Sequence, residues 1–215
     1  MRTVVLIQAR MGSTRLPGKI ALPLDGKPVL WHVWARCRQA LGGNNVYIAA
    51  ARDVPPDHLP PCPTPRTDRP DTDVLGRFAD VAGVIGLAGD DRIVRVTADC
   101  PFLDPRLVRI AASDDYCLWW DHATGNVCET FSVAGLYRAD YDTAPDDPRR
   151  EHVCPALPYF ERDETYPPAH PRYRLELNTA EDYERLSALA TACRASTLPP
   201  FRDVLATYDR LWPAP

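Results

Sequence analysis

Residues 3–19 read TVVLIQARMGSTRLPGK, an apolar run of strand length that breaks into a loop carrying three cations, two hydroxyls and two glycines. The run Thr3 to Ala9 is aliphatic and β-branched up to Gln8, the pattern of a strand buried on both faces of a sheet. Outward from it, Pro28 suits the first position of a helix. Val29, Leu30, Val33, Trp34, Cys37 and Leu41 then recur at helical spacing, and Gly42-Gly43 is the stop. Val46 to Ala50 reads as a second strand. Prolines at 55, 56, 60, 61, 63, 65 and 70 rule out regular structure and stiffen a loop. Asp71 or Thr72 is the expected cap of a helix running to about Leu87, weakened by Gly76, Gly83 and Gly86. Arg92 to Thr97 is a third strand, and Asp104-Pro105 opens a further helix. This alternation predicts an α/β fold, one domain over 1–215 whose mostly parallel sheet is covered by helices on both faces in a Rossmann-like manner.

Beyond Ser113 the expected elements are strands at 116–120 and 127–133, a helix over Val153 to Arg162, and a last strand at Arg172 to Leu177. Thr179-Ala180-Glu181-Asp182 has the pattern of a capping box. It leads a helix to about Cys193, and Phe201 to Trp212 forms the final one.

A length of 215 residues is compatible with one domain and a real core, and 45% apolar with 25% charged residues excludes wholesale disorder. The net charge of −4 argues against a duplex nucleic acid or an anionic membrane as partner, because both select basic surfaces. Of the 25 cations only Lys19 and Lys27 are lysines, so a lysine inside a Gly/Pro loop suggests a need for a compact point charge. The seven cysteines form no C-x-x-C pair, which indicates neither a disulfide framework nor a zinc site. The opening lacks the pattern of a signal peptide and no run of ~20 apolar residues is present, so a cytoplasmic protein is expected.

The loop after the first strand lies where open α/β sheets bind ligands. Glycines let backbone N–H groups turn toward an anion and Arg or Lys neutralises it, so a phosphate-rich ligand is the natural guess. Five residues separate Gly12 from Gly18 and Ile20 follows Lys19, which departs from a Walker P-loop. Asp99 follows a buried-type strand and emerges at the ligand edge of the sheet, a place for a Mg²⁺-binding carboxylate; its alternative is to cap the turn at Pro101 to Asp104. Asp104 reads as a helix cap. Asp73 and Arg77 stand at i, i+4 and can simply pair on a helix face. Cys100 has no His near it in sequence to activate it.

QARMGSTRLPGK (8–19), followed by DGKPVL (25–30), DVLGRF (73–78) and RVTADCP (95–101), resembles the cytidylyltransferase family. The family includes the synthetases of CMP-activated sugar acids, and the likeness is greatest to the branch of spore-coat polysaccharide biosynthesis protein F. Weaker echoes at 129–132, 150–153 and 178–182 extend the resemblance over about residues 3 to 185. It implies a fold of the nucleotide-diphospho-sugar transferase type. It also implies an enzyme that binds CTP and Mg²⁺, lets a sugar or sugar-acid oxygen attack the α-phosphate, and releases pyrophosphate.

By the same resemblance Arg10 and Lys19 are the triphosphate-binding, catalytic cations, helped by Ser13, Arg15 and loop N–H groups such as that of Gly12. Gln8 and Ala9 read the pyrimidine, largely through backbone groups, and Arg77 reaches the nucleotide. Asp99 is the metal ligand, and Glu129, Glu151 and His152 fall on the acceptor side. An imidazole titrates near neutrality, which makes His152 a possible general base. Trp119-Trp120 fall in the least matching stretch, as strand residues or as a stacking surface. A homodimer is implied. One position departs: where the family has a second metal-binding Asp, this chain has Asn178, whose carbonyl can coordinate Mg²⁺ without supplying charge. Three readings stay open, a cytidylyltransferase, a nucleotide-binding protein that has lost turnover, and a glycosyltransferase; against the last, the third strand ends in Asp99-Cys100-Pro101 with no D-x-D pair.

Overall fold

The computed structural model describes residues 1–113, 117–120, 125–153, 156–157, 172–193 and 198–214. Thr3–Ala9 forms β1, with Val4, Val5, Leu6, Ile7 and Ala9 all 0% exposed. It pairs in parallel with β4 (Val46–Ala50) on one side and β5 (Arg92–Thr97) on the other. The sheet has the order β4-β1-β5-β7-β6, in which β7 (Val127–Ser132) runs antiparallel to β5 and to β6 (Cys117–Trp120). Among the five described strands of this sheet, β7 alone therefore points opposite to the other four.

The chain leaves β1 for β4 through α1 (Val29–Leu41), then crosses to the other side of β1 through α2 (Val74–Val84) to reach β5. Right-handed crossovers in opposite directions place their helices on opposite faces. Successive side chains of β1 alternate in the same sense. Val5 and Ile7 pack with Leu30, Val33 and Trp34 of α1 and with Leu107 and Val108 of α3 (Pro105–Ser113). Val4 and Leu6 pack with Leu75 and Phe78 of α2 and with Leu136 of α4 (Val133–Asp142). A third cluster joins Leu175 and Leu177 to Leu186 and Leu189 of α5 (Ala180–Ala192) and to Phe201 and Val204 of α6 (Phe201–Leu211).

Several boundaries differ from the sequence expectation. Pro28 is the N-cap of α1 and not its first residue. Ahead of it, β2 (Pro23–Leu24) and β3 (Lys27–Pro28) form a short hairpin. Its turn residues Asp25 and Gly26 both have positive φ, 47° and 77°, the turn for which Asp-Gly is the sequence signal. The cap of α2 is Asp73, whose side chain accepts from Gly76 N, and the helix ends at Val84. Val133 begins α4 instead of ending a strand, because Ser132 caps that helix by accepting from Gly135 N.

Arg172 to Leu177 is not a strand. The edge of β5 that it would need is occupied by β7, and Leu175 and Leu177 are instead drawn into the third cluster. The capping box at Thr179 and Asp182 forms as expected. Most of the helix expected over 153–162 lies outside the described residues, as do the side chains of Trp119 and Trp120. No helix among the described residues is long and apolar enough to cross a membrane.

Candidate active site

With β4 and β5 on opposite sides of β1, the crossovers diverge at the carboxyl end of β1, where a crevice opens in sheets of this kind. A cleft of about 510 Å³ lies there. Gln8 of β1 and Thr97 and Asp99 at the end of β5 reach it. The loop residues Arg10, Gly12, Ser13, Arg15 and Lys19 line one side, and Glu151, His152, Glu176 and Asn178 another.

Lys19 closes one end. Its ammonium donates to Asp99 Oδ2 at 2.5 Å, to the Leu177 carbonyl at 2.8 Å and to Asn178 Oδ1 at 3.1 Å. The other oxygen of Asp99 takes a weak contact from the Cys100 thiol at 3.6 Å. Burial and the neighbouring Asp99 charge push that thiol well above its ordinary value, so Cys100 is a protonated packing residue and not a nucleophile. Leu177 N donates to the Asp99 carbonyl at 2.9 Å, which fixes the 176–178 segment beside Asp99. Glu176 is held above the usual carboxylate range by burial and by the charge of Asp99, against the pull of Asn178, Lys19 and Arg15.

Arg10 marks the opposite end, where it pairs with Glu151 Oε1 at 2.5 Å. Below this pair Arg150 is 5% exposed; it donates to Asp73 at 2.8 Å and to the Thr143 carbonyl at 2.9 Å, and it also pairs with Asp140. Burial opposes ionisation of Asp73, yet its hydrogen bonds from Arg150 and Gly76 hold its carboxyl below the usual range. A Cβ at Gly76 would meet Asp73 Oδ2 at 2.5 Å and Arg69 Nη1 at 2.8 Å, so a larger residue there would have to push these side-chain ends aside. This brace sets the turn that presents Glu151 and His152, after which the chain bends through Val153 at φ 56°.

Several of the loop's backbone donors are engaged within the protein. Met11 N donates to Asp53 at 3.1 Å, Ser13 N to the Met11 carbonyl at 2.8 Å, and Gly12 N to Asp71. The side chains Arg10, Ser13, Arg15 and Lys19 of this loop line the cleft. Three expected residues do not line the cleft. The Ala9 carbonyl is consumed by Ala51 N at 2.9 Å. Arg77 is 0% exposed and faces Asp71 across 3.9 Å, with no hydrogen-bond partner for its Nε and Nη1 among the described residues. Glu129 stands opposite Arg95 in the β5–β7 register and pairs with it. Arg95 in turn donates to Gln8 Oε1 at 2.6 and 3.0 Å.

A family model described as cytidylyltransferase matches residues 4–115. Spore coat polysaccharide biosynthesis protein SpsF of Bacillus subtilis (strain 168) is 32% identical over 86% of this chain and 84% of its own length. The chain belongs to the cytidylyltransferase family. An 8-amino-3,8-dideoxy-manno-octulosonate cytidylyltransferase of Shewanella frigidimarina (strain NCIMB 400) is 33% identical over a shorter span, 49% of this chain and 44% of that protein. In structure, a cytidylyltransferase from Leptospira borgpetersenii serovar Hardjo-bovis (strain JB197) matches with a TM-score of 0.79 at 26% identity, covering 98% of this chain and 95% of the other.

Within this cytidylyltransferase the cleft thus gathers Gln8, Arg10, Gly12, Ser13, Arg15, Lys19, Asp99, Glu151, His152 and Asn178 from the sequence expectation. Sequence reasoning missed Glu176, Arg95, Thr72 and Thr97, which also line it. Arg95 and Thr97 stand within the RVTADCP block and were within reach. Glu176 carried no local signal, because its place depends on the path of 172–178 past Asp99. Asp104 caps α3, accepting from Arg106 N at 2.9 Å.

Proposed function

We propose that this chain, acting as one domain and as a homodimer in the cytoplasm, transfers CMP from CTP to a sugar or sugar-acid acceptor with Mg²⁺ and releases pyrophosphate. The observation that carries the reading is one cleft, in a cytidylyltransferase fold, with Arg10 and Lys19 at its two ends and Asp99 beside Lys19. Arg10, Arg15 and Lys19 hold the triphosphate and neutralise the charge that builds on the departing pyrophosphate. Ser13 adds a hydroxyl donor. The acceptor oxygen attacks the α-phosphorus, the bond from it to the bridging β-phosphate oxygen breaks, and His152 takes the acceptor's proton. Gln8, its Oε1 held by Arg95, offers its amide N–H groups to the pyrimidine; Glu129 and Arg77 act from behind the lining, through Arg95 and Asp71.

The donor set suits a hard cation. Asp99 Oδ2, Asn178 Oδ1 and the Leu177 carbonyl already converge on the ammonium of Lys19, and all three are oxygen ligands of the kind Mg²⁺ takes. Among the described residues no group of three His, Cys, Asp or Glu side chains could hold a metal by itself, so substrate phosphates complete the shell. When bound, Mg²⁺ polarises the phosphate and offsets its charge. The test is calorimetric titration with each of the four nucleoside triphosphates, with and without Mg²⁺, followed by pyrophosphate release with a panel of sugar acids. CTP-selective binding strengthened by Mg²⁺, with turnover, is the expected result. Binding without turnover for any acceptor favours the pseudoenzyme that Asn178 suggests, and no binding of any triphosphate overturns both.

A further inference from the structure

We propose that Glu176 is a metal ligand of this cleft, supplying beside Asp99 the second negative charge that Asn178 does not. The inference rests on the metal-dependent reading above. The cation position is marked by the Lys19 ammonium, which gathers Asp99 Oδ2, the Leu177 carbonyl and Asn178 Oδ1 within 2.5 to 3.1 Å. Of these three, only Asp99 is charged. Side chains of 175–178 alternate between two sides, with Glu176 at a bend of the chain. Leu175 and Leu177 are 0% exposed in the third cluster, while Glu176 and Asn178 both line the cleft.

Two backbone contacts fix the register. Leu177 N donates to the Asp99 carbonyl at 2.9 Å. Gly125, at φ +85°, lies so close that a Cβ there would stand 2.7 Å from Glu176 N and 2.8 Å from Leu175 C. The Asn178 side chain interacts favourably with the Glu176 carboxylate; since a carboxylate only accepts, the Asn178 amide nitrogen is the end that meets it. That leaves Oδ1 for the cation, which is where the structure places it, on Lys19. Glu176 feels the charges of Asp99, Lys19 and Arg15. A carboxylate held next to another carboxylate is costly without a counter-charge. A divalent cation between them, with Lys19 released to phosphate, balances both.

The test reads metal binding, not turnover. Mn²⁺ is titrated into the CTP-loaded protein without acceptor and followed by electron paramagnetic resonance and water-proton relaxation. Glu176→Gln keeps the size of the side chain and its hydrogen bonding to Asn178 but removes its charge. It is expected to weaken Mn²⁺ binding at least tenfold while CTP binding in EDTA is not weakened. The double variant Glu176→Gln/Asn178→Asp is expected to recover the affinity. An unchanged Mn²⁺ affinity in Glu176→Gln, or a loss that the double variant does not recover, overturns the proposal. If wild-type protein binds CTP but takes up no Mn²⁺, the metal-dependent reading fails first, and this inference with it.

Discussion

The two ends of the cleft hold their cations differently. Lys19 has three acceptors and its side chain is 12% exposed, against 15% for Asp99. Among the described residues Arg10 forms one ion pair, with Glu151, and the two side chains are 28% and 32% exposed. An ion pair open to water gains little net energy, whereas a desolvated one with its remaining bonds satisfied is strongly coupled to its neighbours. The difference teaches that the fold fixes a set of oxygen acceptors around the Lys19 ammonium, while the Arg10 end is set by a turn that substrate can displace at little cost.

The contrast can be broken experimentally. Asp99→Asn is expected to have the largest effect, lowering pyrophosphate release by roughly 10²-fold or more with an unchanged circular-dichroism spectrum; retained turnover would remove Asp99 from the metal site. Lys19→Ala should weaken CTP binding by ~1.5–3 kcal/mol, and by more than Arg10→Ala, in calorimetric titration. Equal losses would erase the distinction between the ends.

Two further measurements sharpen it. Asp73→Asn removes the anion from beneath the Arg10 end and leaves Arg150 short of a partner. A stability loss of about 2–3 kcal/mol is expected in urea denaturation. Because the folded Asp73 carboxyl lies below its ordinary value of 3.8, its contribution is complete above that value and fades as pH falls through the lowered one. The difference between wild type and variant should therefore close in acid. The smallest effect is the Arg10–Glu151 coupling: a double-mutant cycle with Arg10→Ala and Glu151→Ala should give under about 1 kcal/mol of stability. A larger value would mean that this end is as rigid as the other.

Local patterns carried much of this architecture. The apolar run at 3–9, the strands at 46–50 and 92–97, the helix at 29–41 and the capping box at Thr179 were legible because propensity, periodicity and caps act over a few residues. The loop cations and Asp99 were legible for a similar reason, since a strand end at the carboxyl edge of the sheet implies a ligand position. Arg77 and Glu129 were harder. Their residue types fitted a binding role, yet Arg77 is shut behind Asp71 and Glu129 is taken by Arg95, and both outcomes depend on partners far along the chain.

The sequence by itself determined an α/β sheet with a phosphate-type loop after its first strand and a lone carboxylate after its third. Only the tertiary structure decided that β7 would occupy the edge of β5, leaving 172–177 outside the strands of the sheet and running past Asp99. That choice brings Glu176 and Asn178 into the cleft, and it depends on burial of Leu175 and Leu177 and on the close approach at Gly125. Such packing between distant segments leaves no periodic trace in either one, because hydrophobic burial has no direction along the chain.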